Sequence, residues 1–430
     1  MEQPPTPKPR RRRWGKRVAL ALAPLAIAGA ACGLVQVRRA SRVAAIAQAA
    51  DAQSHRLISD CRWERPVVGG PARDCNGVDV AREAAKRLFA DAPEDMMSRA
   101  SLLDALEHDR PLPPHVAEFV GGHGKTLEEV REAAWCSWAC TRDTPWTNYR
   151  RGTVDNAIEL LLFSARSSAP DACLLVALDV MRLVQDGGTG LASMFASRES
   201  SRQPRRLHEA RRTLLECGGR ASGPALAEAA RQAAVVATTP PPVGDALASD
   251  ALLVATVLLE DVARPDRPGA ENVLWVQRGG LLDAADALVA RIDTFRSYRD
   301  DDLPAAFDRL SHDLPPRPWV PFADHKSHEY SSSVGEELNL LGDLRDLLRA
   351  WAHVDRDLRA TAVALAALRD RVTSGAWSPA GPAERELPEL RDPFTGRPFG
   401  WSRGGAGPIV LAEAVGDVDA EAIGLPEPAR

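Results

Sequence analysis

Apolar positions recur along most of this chain at the three- and four-residue spacing of an amphipathic helix rather than the alternation of a half-buried strand. Residues 80–90 and 93–107 carry that pattern, and 126–140 opens on Thr126 with Glu129 three residues later, the reciprocal capping arrangement of a helix start. Between 153 and 237 the sequence reads as several antiparallel helices. Leu174, Leu178 and Met181 share one face of 171–184, with Gly187 and Gly188 as its stop. A second helix, 205–217, stops at Gly218 and Gly219. Residues 238–243 contain Pro240, Pro241 and Pro242 and read as a linker. Helices resume at 245–263, 280–298 and 338–371, the last with a break expected near His353 to Arg356. No fixed repeat period links these segments, which excludes a regular solenoid.

One segment departs from amphipathicity. Residues 18–37 are uncharged and follow Arg10, Arg11, Arg12, Arg13, Lys16 and Arg17. Twenty such residues are long enough to cross a bilayer as a helix, and the basic flank before them orients the rest of the chain outside the cytoplasm. Seven alanines with Pro24, Gly29 and Gly33 make the run only weakly apolar. Cleavage after the small residues Ala28, Gly29 and Ala30 is therefore an alternative. The Ala30-Ala31-Cys32 stretch is similar to a lipoprotein box, with Gly29 where Leu is usual. Residues 40–58 continue as an Ala-rich helix that would stand a domain off the membrane.

The expected organisation is a basic cytoplasmic segment 1–17, an anchor or signal segment 18–37, a helical stalk 38–60, a helical domain 61–237, a linker 238–243, a second helical part 244–375 and a β-containing module 376–430. The fold class is mainly α, an irregular multi-helix array behind one transmembrane helix, with a small C-terminal β-hairpin element.

Composition adds compartment rather than chemistry. The net charge of -5 and 26% charged content give no electrostatic footprint for nucleic acid. Only five of the 54 basic residues are Lys, so Arg-rich patches carry little information. Outside the apolar run stand Cys61, Cys75, Cys136, Cys140, Cys173 and Cys217, an even number that an oxidising compartment would pair. Nearest neighbours in sequence would join Cys61 to Cys75 and Cys173 to Cys217.

Candidate sites are few. Gly121 to Thr126 ends like a phosphate-binding loop, but Phe119 stands where the first glycine is required and no apolar strand precedes it. Asp324, His325, His328 and Glu329 form the densest group of acid-base or metal-ligating types, inside a Pro- and Ser-rich stretch. Asp355 with Arg359, like Asp346 with Arg349, reads as a solvated helix face. No residue is assigned a catalytic, cofactor-binding or metal-binding role.

The sequence 387–401, Leu-Pro-Glu-Leu-Arg-Asp-Pro-Phe-Thr-Gly-Arg-Pro-Phe-Gly-Trp, has its own local chemistry. Pro393 fixes φ, Asp392 bonds the backbone two residues on, and Gly396 supplies a positive φ, which together make a turn into an extended pair. Phe394, Phe399, Trp401, Ile409 and Leu411 would anchor that pair on the preceding helix. This tail resembles that of uncharacterised membrane-anchored helical proteins of planctomycetes and myxobacteria, and is distantly similar to the C-terminal region of pseudopilins. The resemblance implies an envelope location and a helical architecture but no reaction. The prepilin peptidase signature of true pseudopilins does not precede Val18.

The reading as a whole is a membrane-tethered extracytoplasmic protein, bound to the membrane through its N-terminal helix, that binds or scaffolds an envelope partner without a cofactor. Its rivals are a hydrolase using His325, His328 and Glu329, and an accessory protein of a secretion apparatus.

Overall fold

The computed structural model describes residues 11–60, 62–63, 73–90, 92, 99–139, 148–189, 202–239, 242–263, 277–298, 303–314, 333–378, 390–404, 407–413 and 420–426. They are mainly helical, with a small antiparallel three-stranded sheet near the C-terminus. The first helix, α1, is continuous over Arg11–Asp60. After strands β1 (Arg62–Trp63) and β2 (Arg73–Asn76) come α2 (Gly77–Leu88), α3 (Arg99–Glu107), α4 (Pro114–Gly122) and α5 (Gly124–Glu132). A short 3-10 turn then leads into β3 (Cys136–Ala139). Next follow α6 (Asn148–Arg166), α7 (Pro170–Thr189), α8 (Arg202–Gly218) and α9 (Gly223–Thr238). The remaining helices are α10 (Val243–Ala263), α11 (Gln277–Ala290), α12 (Ile292–Arg296), α13 (Leu303–Asp313) and α14 (Ser333–Ser374). Three antiparallel strands close the chain: β4 (Gly400–Gly404), β5 (Gly407–Ala412) and β6 (Glu421–Gly424).

The buried apolar side chains separate into two cores. The first collects α2 to α9, the C-terminal half of α14 from Val354 onward, and the inward face of the C-terminal sheet. The second collects Ile46, Ala50 and Leu57 of α1, helices α10 to α13, and Leu344, Leu348, Trp351 and Ala352 from the N-terminal half of α14. Helix α14 is 42 residues long, about 63 Å at 1.5 Å per residue, enough to serve both cores in turn.

Several expectations are corrected. Helix α14 runs unbroken through His353 to Arg356, where a break was expected. The polar run there marks its passage from one core to the other. For the same reason the second helical part, read as 244–375, gives its residues from Val354 onward to the first core. The segment read as a stalk, 38–60, lies packed on α10 to α12 rather than clear of them. Thr126 is no cap, because α5 already starts at Gly124 with His123 before it. That helix ends at Glu132 instead of running to Cys140, and the chain turns extended at Cys136 to pair with two strands.

That pairing overturns one disulfide. Cys75 of β2 bonds Cys136 of β3 across 61 residues, with Cα atoms 5.1 Å apart, so it is not the partner of Cys61. Parallel alignment of β2 with β3 brings them together, which sequence proximity does not reveal. Cys61 lies outside the described residues. The expected bond between Cys173 and Cys217 is present, tying α7 to α8.

No single helix among the described residues is long and apolar enough to cross a membrane. Most side chains of the 18–37 run lie outside them.

The C-terminal turn forms as its residues dictate. Asp392 Oδ1 accepts the Phe394 N–H at 2.9 Å, the Asp392 carbonyl accepts from Gly396 at 2.8 Å, and Gly396 takes φ +65°. Its anchors differ in part from those expected. Phe399 is buried against the first core with Val410, Ala412, Ile423 and Leu425, whereas Ile409 and Leu411 are only half-buried on the other face of β5. Phe394 turns to the second core and stacks near Phe307 and His353.

Candidate functional site

The feature that sets this molecule apart from an ordinary helical array is a set of fully buried charges in the first core. Arg182, Arg206 and Arg356 are each no more than 2% exposed and are among its largest fully buried side chains. An arginine stays protonated in a folded protein, so each must meet a counter-charge inside.

Helix geometry supplies those partners. Asp155 and Glu159 stand one turn apart on α6 and face Arg206 of α8, whose Nε lies 2.8 Å from Glu159 and whose Nη1 lies 3.3 Å from Asp155. On α7, Asp179 lies 3.2 Å from Arg131 of α5 and 3.6 Å from Arg182. Arg182 also donates to Gln232 of α9 at 3.4 Å and lies over the Trp135 ring at 4.3 Å. Arg211 of α8 meets Asp357 of α14 at 3.1 Å. At the edge of this core Arg166 joins Glu209 (2.7 Å), Thr213 (3.1 Å) and the Leu106 carbonyl (2.9 Å). Burial alone would raise the Glu209 carboxyl, but hydrogen bonds from His208 and Arg166 outweigh it and leave it lowered.

The midpoint of α14 and the C-terminal turn make a second seam. Arg356 pairs with Asp392 at 3.0 Å, donates to the Glu413 carbonyl and lies 5.3 Å from the Phe394 ring centre. One residue earlier, Asp355 is held by Arg359 at 2.9 Å, and Arg359 reaches the Arg391 carbonyl at 3.2 Å. Asp355 and Arg359 were expected on a solvated face. The C-terminal module covers them, and Asp355 is 2% exposed. Burial pushes its carboxyl up to about 6, with Arg359 opposing the rise and Asp392 adding to it.

These groups position helices, with Arg206, Arg211 and Arg356 each held against a carboxylate of another helix or turn. A separate group, Asp104, Glu107 and His108, holds its ligand atoms within 4.8 Å of one another. Its carboxylates are already engaged, Asp104 by Arg110 at 3.0 Å and Glu107 by Arg205, so it reads as an ion-paired helix end. The phosphate-loop lookalike is a helix junction. Gly121 and Gly122 close α4, and His123 stacks on Phe119 at 4.1 Å with its Nδ1 2.9 Å from the Phe119 carbonyl. Asp324, His325, His328 and Glu329 lie outside the described residues.

Sequence reasoning did not single out the buried charges, because Asp, Glu and Arg at helical spacing look the same on a solvated face. A usable signal was the density of apolar residues around them on α6 and α7, which bury most of the described faces of those helices. Comparison with known proteins finds no matching family model, no matching curated protein and no matching solved structure.

Proposed function

We propose that this chain is a membrane-tethered extracytoplasmic helical protein that binds or scaffolds another component of the cell envelope. The observation that carries the tether is the uncovered apolar surface at the start of the described side chains. Among the described residues five large apolar side chains are exposed, and three of them, Leu34, Val35 and Val37, sit together on α1. They continue the uncharged run from residue 18, and they are 39–68% exposed. Full burial of a side chain of this kind is worth about 1.5–3 kcal/mol, and the part of it forfeited in water here is regained in bilayer hydrocarbon. The basic residues 10–17 before the run favour an orientation with the folded body outside the cytoplasm. Two disulfides, Cys75–Cys136 and Cys173–Cys217, suit that oxidising side. Binding is favoured over catalysis because the buried charges are engaged with one another in ion pairs.

The test is fractionation of the full chain expressed with a reporter active only in the periplasm after Arg430. The protein should stay in the membrane pellet through an alkaline carbonate wash with the reporter active, and deletion of residues 1–37 should release it. A soluble full chain, or a reporter silent in the periplasm, would sink the proposal.

A further inference from the structure

We infer that the second core is a pedestal clamped to the tether, and that the first core is the part displayed away from the membrane, about 35 Å beyond the end of the apolar run. The inference rests on the tether reading above.

The clamp is both apolar and ionic. Ile46, Ala50 and Leu57 fall on one face of α1 and are buried among α10 and α11. Beside them Arg42 pairs with Asp283 (2.7 Å) and Asp286 (3.2 Å) of α11, and Arg56 pairs with Asp293 (2.9 Å) of α12. At the far end Asp60 meets Arg296 at 3.2 Å. Contacts spread from residue 42 to residue 60 fix the direction of a helix, where a single contact would leave it free to swing. From Val37 to Asp60 the helix rises about 35 Å at 1.5 Å per residue.

Direction follows from the connections. Arg296, which holds Asp60, also holds Asp245 in the first turn of α10 at 3.0 Å. Gly244 lies so close to Arg296 that a Cβ there would stand 2.5 Å from its carbonyl oxygen, which fixes the start of α10 at this same end. Two of the three segments that join the cores leave from here, the third being α14, whose N-terminal half serves the second core and C-terminal half the first. After Asp60 the chain pairs within two residues with β3 through Arg62, and before α10 it comes out of α9 at Thr238. The two cores therefore lie in series along α1, the second beside residues 42–60 and the first beyond Asp60. The buried ionic seams and the C-terminal sheet all belong to the outer part.

Energy transfer from a single fluorophore to a headgroup acceptor tests this in vesicles carrying the full chain. One label replaces Gly279 at the start of α11, where an added side chain meets nothing within 4 Å, and the other replaces the exposed Lys125 of α5. Transfer from position 279 should exceed that from position 125 several-fold. Inserting six Gly and Ser residues after Val37, outside the clamp, should shrink the difference by letting the body swing. Equal transfer from both positions in the uninterrupted chain would overturn the serial arrangement while leaving the tether intact. A difference unmoved by the insertion would overturn the rod as its cause. Failure to bind vesicles at all would remove the tether reading itself and this inference with it.

Discussion

The two cores solve the same packing problem by different means. In the second, nearly every buried side chain is aliphatic or aromatic, and Asp250 is the charged residue it buries among those described. In the first, Asp155, Glu159, Asp179, Arg182, Arg206, Glu209, Arg211, Asp355, Arg356 and Asp357 are buried inside the same shell of leucines and alanines. Apolar burial is non-directional and tolerates sliding of one helix on another. A guanidinium between two carboxylates does not tolerate it, because displacement by one helical turn strands a charge. The contrast suggests that the first core is built for one helix register, at a cost in desolvation that the second core avoids.

Removing one member of a buried ion group is the severest way to probe this difference. Arg206→Met should cost about 3–5 kcal/mol, since Asp155 and Glu159 are left buried without their cation. Hydrogen exchange should show the loss of protection centred on α6 to α8, with α10 and α11 little changed. Replacing all three with apolar residues of similar size should recover most of the loss. If Arg206→Met alone costs under about 1 kcal/mol, the typical worth of an exposed pair, the seam is not the fixed element described here.

Leu288→Ala probes the other side. Leu288 is fully buried in the second core, and its truncation should cost about 2–5 kcal/mol through lost transfer energy and the cavity left behind. The damage should appear in α10 to α12 and in residues 42–60 of α1. Equal loss of protection in both cores would mean that α14 couples them into one cooperative unit, and the contrast would then describe chemistry without independent stability.

What the sequence disclosed divides along the line between local and distant causes. Helices α7 and α8 were legible because periodicity is local, and the glycine stop held at Gly218 for α8 but not for α7, which runs through Gly187 and Gly188 to Thr189; Cys173 with Cys217 followed from proximity in sequence. The turn at Asp392 was legible down to its hydrogen bond to Phe394, since every group that makes it lies within five residues. The role of the Asp392 second oxygen was hidden, for its partner Arg356 is 36 residues away. Cys75 with Cys136 was hidden likewise, by a sequence separation of 61. The length of α14 misled in an instructive way. Length suggested a break near His353 to Arg356, but the helix continues, with Asp355 held by Arg359 one turn on and Arg356 by Asp392 of the C-terminal turn.

The mildest probe is at the seam between α14 and the C-terminal turn, where the comparison becomes a question of pH. Asp355 has its carboxyl pushed up to about 6 by burial, above the 3.8 of an unperturbed group. The folded state therefore binds this proton more tightly than the unfolded chain does. Stability from this group is fully present below about pH 3.8 and is lost as pH rises through about 6. Arg359 limits the loss by stabilising the ionised form, and Asp392 adds to it by repulsion. Asp355→Asn keeps an acceptor for Arg359 but cannot ionise. It should flatten the fall in unfolding free energy across that window while leaving residues 42–60 and α10 as protected as before. An unchanged pH profile in the Asn variant would assign the slope to other carboxylates and remove Asp355 from the account.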